Sequence, residues 1–407
     1  MIELLKKHFK IIFYCFAVTF FAGYGQSFFI GQFIESIRSE LHFTRTEISF
    51  VYSLATFIAS FNLAYLGGLI DRAKSWHFAL ITISIVFVSM IGLSYSYHIV
   101  AFFFGFYFLR GFGQMILALI SSTQIAKLFA RHRGKAQTMA SWGKSIGEGI
   151  WPGLIVFLLT FLTWRETFRY MGAIMMIVLI PLTLTLLRKF PTSALYEENS
   201  IVKKSADIKE HLWTWSEVLK SFNVIGLMIG FAILPFVATG IFFQQGSIIS
   251  EKGWSNEIIS ISYLCFSGAH LLMSLIVGHI IDRFSSRVLL PWILLPLSLA
   301  LLLLALFSSP IIGPLSFFLM GTSVGMSGLT RNTFWAETFG TEHLGRIKGM
   351  DSNILVIGTS IAPLFFAKLL DIETSVSTLM YILMSISLMG NCLFYYMSRH
   401  YKKAESL

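Results

Sequence analysis

Residues 65–77 read Tyr-Leu-Gly-Gly-Leu-Ile-Asp-Arg-Ala-Lys-Ser-Trp-His, and residues 276–288 read Ile-Val-Gly-His-Ile-Ile-Asp-Arg-Phe-Ser-Ser-Arg-Val. At a constant offset of 211 residues, Gly67 meets Gly278, Ile70 meets Ile281, Asp71 meets Asp282, Arg72 meets Arg283 and Ser75 meets Ser286. The same offset aligns Gly134 with Gly345, Gly147 with Gly358 and Pro152 with Pro363, and sets Lys135 against Arg346. Identities in one register, clustered at the same places in each half, read as an internal duplication.

Each copy of this segment closes an apolar run. The chain has 407 residues, 55% hydrophobic and only 13% charged, with a mean hydropathy of +0.73. Soluble proteins carry about 25% charged residues. An ordinary soluble enzyme, a disordered tail protein and a small disulfide scaffold are thereby excluded. Runs such as 78–95 and 289–307 are continuously apolar, whereas barrel strands alternate at every second residue. An apolar helix needs about 20 residues to cross the hydrocarbon. That ruler gives twelve spans: 11–34, 47–70, 76–96, 98–126, 137–161, 166–187, 222–248, 257–281, 288–307, 311–338, 349–369 and 375–398. Lipid offers no partner to an open sheet edge, so these runs are helices. The first is too long for a signal-peptide core and continues through Phe28, Phe29 and Phe33.

The net charge of +10 would point to nucleic acid in a soluble domain, but here the basic residues sit at the ends of apolar runs. With the N-terminus inside, 22 Lys and Arg fall on the inner side and 6 on the outer, so the positive-inside rule puts both termini in the cytoplasm. The expected organisation is an all-α membrane protein with two pseudo-symmetric bundles of six helices. One bundle covers 1–189 and the other 221–407, with a polar linker at 190–220 in which Leu212, Trp213 and Trp215 suggest an interfacial helix. Two parallel halves imply a path between them. Cys15, Cys265 and Cys392 lie in apolar stretches without metal or disulfide spacing and read as inert thiols. No ligand cluster suggests a metal and no cofactor is expected. Gly143-Lys144-Ser145 imitates the end of a phosphate loop, but Thr138 stands where its first glycine belongs.

The Gly67-x-x-x-Asp71-Arg72 segment, echoed by Gly278-x-x-x-Asp282-Arg283, resembles the loop signature of the major facilitator superfamily. Arg110-Gly111-x-Gly113 resembles that superfamily's second motif. Gly25-Gln26-Ser27-Phe28-Phe29, Arg133-Gly134-Lys135-Ala136, Gly147-Glu148 and Pro152 are similar to the monocarboxylate and oxalate–formate transporter branch. The resemblance implies alternating access, with the signature residues Gly67, Asp71, Arg72, Gly278, Asp282 and Arg283 gating the cytoplasmic side. It also puts spans one, four, seven and ten around the cavity, where Gln26 and Gln244 would line the path. Short outer loops and compact length resemble bacterial inner-membrane members.

Charges inside the hydrocarbon cost about 2.5–3.5 kcal/mol each on insertion scales, so each needs a reason. Arg110 in span four and Glu148 in span five both reach about 15–20 Å into the membrane, and an ion pair between them is geometrically reasonable. Arg110, Gln114, Ser121 and Gln124 share one face of span four; Gln137, Ser141, Lys144 and Glu148 share one face of span five. Both stripes should meet water or each other. Arg331 and Asp351, equally far from the loop joining spans ten and eleven, suggest a structural or gating pair, and His270 lies near mid-depth in span eight. The positive excess of Arg110, Lys144 and Arg331 over Glu148 and Asp351 favours an anion. The expected function is secondary transport of a small organic anion, a carboxylate, with a proton as coupling ion, by a monomer that binds neither nucleic acid nor nucleotide. In that scheme protonation of Glu148 releases Arg110 to the substrate. Efflux of larger amphipathic compounds is the alternative within transport, and a non-transporting membrane sensor the alternative outside it.

Overall fold

A computed structural model describes residues 2–72, 74–129, 133–188, 222–339 and 344–404. The expected interfacial helix of the 190–220 linker lies outside them. Among the described residues every regular element is helical. The chain divides into two compact units, Met1–Ile208 and Lys209–Leu407.

The first unit holds α1 (Ile2–Phe21), α2 (Ser27–Leu41), α3 (Arg45–Arg72), α4 (Ser75–Ser94), α5 (Ile99–Phe108), α6 (Leu117–Leu128), α7 (Arg133–Leu159) and α8 (Trp164–Leu182). The second holds α9 (Phe222–Phe243), α10 (Gln245–Lys252), α11 (Asn256–Phe284), α12 (Leu295–Leu306), α13 (Ile312–Phe339), α14 (Leu344–Asp371) and α15 (Val376–Ala404). Among the described residues ten helical segments are long and apolar enough to cross a membrane. α3 and α7, 28 and 27 residues long, supply the other two of the twelve spans; Lys144 and Glu148 lower the hydropathy of α7.

Local chemistry sets the helix ends. Thr163 and Glu166 form a reciprocal capping box at the start of α8, and Thr44 and Glu47 exchange the same bonds at the start of α3 (Thr44 N–H to Glu47 Oε2, 2.8 Å; Glu47 N–H to Thr44 Oγ1, 3.1 Å). Spans one, seven and nine are not continuous α-helices, span nine opening as a 3₁₀ helix, Ser286–Trp292, ahead of α12. Span one breaks at a 3₁₀ turn, Ala22–Gly25, and resumes after an extended Gln26. Span seven breaks at Gln244, whose φ/ψ of −98° and 18° separates α9 from α10.

The duplication is repeated in the packing. In the first unit α1 packs on α7, α3 on α5, and α4 on α8; in the second, the corresponding pairs are α9 with α14, α11 with α13, and α12 with α15. Further correspondences at the 211-residue offset become visible. Tyr52 meets Phe106 edge to face at 5.5 Å and 76°, and Tyr263 meets Phe317 at 5.1 Å and 78°. Glu40 takes bonds from Trp164 Nε1 and Arg165 Nε at the start of α8, and Glu251 takes one from the Val376 N–H at the start of α15. Each of these glutamates ties the end of its half's first span to the start of its last. Beside Glu251, burial pushes the Lys252 ammonium below the usual lysine range while Glu251 pulls it back up. Close helix contact uses small residues, as lipid-embedded bundles do: α7 lays Gly143 directly on the Phe16 carbonyl of α1.

Candidate functional site

Span four is not a uniform α-helix. Between α5 and α6, Leu109–Ile116 winds as π-type turns, the Leu117 N–H reaching back to the Phe112 carbonyl. Such turns are frequent at functional sites, because the widened ladder displaces side chains from α-helical phase. The turn contains Gly111 and Gly113, and across from it lies the break in span one. Gly25 fits against the turn so closely that an added Cβ would overlap the Leu109 carbonyl oxygen and the Gln114 nitrogen.

Arg110, 2% exposed, is held at this junction. Its Nη1 donates to the Gly25 carbonyl at 3.0 Å, and its Nε donates to Thr56 Oγ1 of α3 at 3.1 Å. The guanidinium carbon lies 5.3 Å from the centroid of the Tyr52 ring, within cation–π range. These partners are all neutral. The residue after Gly25 is Gln26, the N-cap of α2, so the guanidinium and the positive end of a half-helix meet at one place. Gln114, one turn further along, has a buried Oε1 without a hydrogen-bond partner, and Gln26 is half-buried.

Glu148, 5% exposed, does not take Arg110 as its ion-pair partner. It pairs with Lys144 one turn earlier on α7, at 3.6 Å, and the Lys144 side chain is 47% exposed. The two polar stripes therefore do not face each other as a pair. That of span four is a seam against span one, where Ser121 Oγ donates to the Cys15 carbonyl at 3.1 Å. That of span five stays open at Ser141 and Lys144. The sequence shows which residues carry charge, but neutral partners such as Tyr52, Thr56 and a backbone carbonyl give no charge signal.

In the second unit, Gln244 stands at the break of span seven and its Nε2 donates to the Pro363 carbonyl at 3.4 Å. Its neighbour Gln245 accepts from Tyr263 at 2.8 Å. His270 is half-buried, edge-on to Phe266. Arg331 and Asp351 do pair, Nε to Oδ2 at 3.4 Å. Gly67, Asp71 and Arg72 end α3, and their side chains lie outside the described residues. Gly278 rests against Leu329 of α13. Asp282 and Arg283 are exposed and form no ion pair among the described residues. The loop after α11 is held instead by Glu337 of α13, which accepts from Ser285 Oγ and Ser286 Oγ, both at 2.7 Å. Nothing in the sequence singles out Glu337, because a glutamate near a span end looks like any interfacial charge.

The chain matches the model of the Major Facilitator Superfamily over residues 15–363. It is 28% identical over 145 residues to human monocarboxylate transporter 6, a match spanning 36% of this chain and 29% of the length of that protein. Two solved structures of the nucleoside transporter NupG are similar in fold. One, of a point mutant, gives a TM-score of 0.72 at 14% identity, covering 95% of this chain and 99% of that one. The other gives 0.69 at 16%, covering 95% and 98%.

Proposed function

This chain belongs to the Major Facilitator Superfamily, and on that premise we propose that it is a secondary transporter of a small organic monoanion, a carboxylate, moved together with a proton. One observation carries the reading: among the described residues the buried Arg110 has only neutral partners, and it sits where a half-helix begins. A buried cation without a counter-ion is costly, and the positive end of α2 adds to the attraction for an anion. A carboxylate supplies two acceptor oxygens to a guanidinium fork. Broken helices are also where transporters of this architecture place their substrates. Gln26 and Gln114 stand ready to orient the rest of the molecule, a role that Gln244 takes in the second unit. A neutral nucleoside would leave Arg110 uncompensated.

Charge balance favours a monoanion. Lys144 and Glu148 neutralise each other on α7, which leaves Arg110 as the net positive charge of this region. Protonating Glu148 would free Lys144, not Arg110, so the exchange expected from the sequence shifts to that lysine. Glu148→Gln therefore adds one net positive charge near the path. It is expected to improve dicarboxylate over monocarboxylate uptake in proteoliposomes roughly fivefold, from about 1 kcal/mol of Coulomb attraction over about 15 Å at an effective dielectric near 20. Unchanged selectivity would contradict the monoanion reading.

In the same proposal the ends of spans two and eight, with Asp71, Arg72, Asp282 and Arg283, act as the charged hinge of the gate. His270 is a polar residue of the second bundle. The protein works as a monomer in a bacterial inner membrane, with both termini cytoplasmic. Export of amphipathic compounds is the second reading. It has in its favour the Phe9, Phe13, Phe16 and Phe20 ladder along α1, stacked at 5.5, 6.4 and 6.3 Å. Export of hydrophobic cations without carboxylate flux would decide for it.

A further inference from the structure

Asp351 lies two turns into α14 and is 2% exposed. Its surroundings are unusual for a buried ion pair. The contact with Arg331 runs from Nε to Oδ2 at 3.4 Å, and Arg331 Nε makes no hydrogen bond there. The second carboxylate oxygen, Oδ1, is buried without a hydrogen-bond partner among the described residues. Trp335 Nε1, one turn beyond Arg331 on α13, is within reach of the carboxylate as a hydrogen-bond donor, but its N–H is buried without strict hydrogen-bond geometry. Native interiors leave few such groups, and each costs about 1–3 kcal/mol. Three of them around one carboxylate mark a site whose bonding is incomplete with the carboxylate ionised.

Among the described residues the other charges around it are few. Lys348 acts from one turn earlier on α14. Glu337, on α13, is committed to Ser285 and Ser286. α9, which packs on α14, carries no ionisable side chain, and α15 brings Arg399 in its last turns, lying over the Tyr395 ring at 4.6 Å.

We propose that Asp351 is a proton-binding site of the second bundle, and that its protonation releases Arg331 from its ion pair. This inference rests on the proton-coupled part of the functional reading and supplies the acceptor that Glu148 does not provide for Arg110. The step is a proton transfer only: one proton from water adds to a carboxylate oxygen, the carboxylate becomes a neutral acid, and the Arg331 guanidinium keeps its charge. Released Arg331 is then a second cation that an anion can neutralise. By linkage, proton binding and anion binding strengthen each other by the same factor.

The test uses the proton itself as probe. Infrared difference spectra of the full-length protein in liposomes, taken between neutral and acidic pH, are expected to show a protonated-carboxyl stretch growing on acidification. Asp351→Asn should lose that band, Glu148→Gln should keep it, and Arg331→Gln should move the pH at which it grows. Asp351→Glu, which preserves the carboxyl group, should restore a titrating band and shows that the site tolerates substitution. A band that persists in Asp351→Asn, or none in the wild type, overturns the proposal. No substrate enters this measurement, so it can fail while carboxylates still bind at Arg110, and the reverse.

Discussion

An Arg110→Gln protein is expected to lose carboxylate binding and uptake while keeping its fold. Glutamine can still donate to the Gly25 carbonyl or to Thr56 Oγ1, the two neutral acceptors that hold Arg110 now. It cannot offer a charge. Hydrogen bonds to charged groups are worth about 1.5–3 kcal/mol, so affinity should fall roughly 10- to 100-fold, at about 1.4 kcal/mol per tenfold. Arg110→Lys keeps the charge but not the planar fork, and an intermediate loss of about tenfold is expected in the same assay. The melting temperature of Arg110→Gln should not fall, because removing a buried charge that has no carboxylate partner relieves a desolvation cost. An unfolded variant, or one with full uptake, would contradict the role given to Arg110.

Gly25→Ala is expected to damage both the fold of the first unit and its binding site. The added carbon would overlap the Leu109 carbonyl oxygen and the Gln114 nitrogen, both backbone atoms of the π-type turn. Backbone cannot swing aside as a side chain can, so the break in span one or the turn in span four must move. Overpacking of this kind costs about 1–3 kcal/mol. The displacement also pulls the Gly25 carbonyl away from Arg110, so carboxylate binding should weaken beyond the loss in melting temperature. Gly134→Ala is the matched control, since a Cβ there meets nothing within 4 Å, and it should behave as wild type. Equal behaviour of the two variants would mean that the Gly25 junction is not rigid.

The spans were legible because hydrocarbon imposes a length and a composition on each helix, and only α3 and the charged α7 needed reading against the rest. The duplication was legible through Gly67 to Ser75 and their copies. Its structural core, Tyr52 on Phe106 and Tyr263 on Phe317, was not, because aromatic residues are common in every span and no local rule singles these out. Arg110, Lys144 and Glu148 could be found as charges where charge is expensive. Their partners could not, because helix facing depends on the π-type turn at Leu109–Ile116, which shifts the phase of span four relative to an ideal helix. The Arg331–Asp351 pair was legible, since equal distances from a short loop fix equal depths. The breaks at Ala22–Gly25 and at Gln244 carried weak signals, and only the tertiary fit of Gly25 gives the first of them a reason.

The most direct test of the account is thermal unfolding of the purified protein against matched pairs of small ligands, each pair a carboxylate and its neutral amide of the same shape. A ligand that binds only the folded state stabilises it by about 2.7 kcal/mol at about 100 times its dissociation constant. At least one carboxylate is expected to raise the melting temperature of the wild type, its amide is not, and the difference is expected to vanish in Arg110→Gln. Equal protection by acid and amide, or protection that survives in Arg110→Gln, would contradict it.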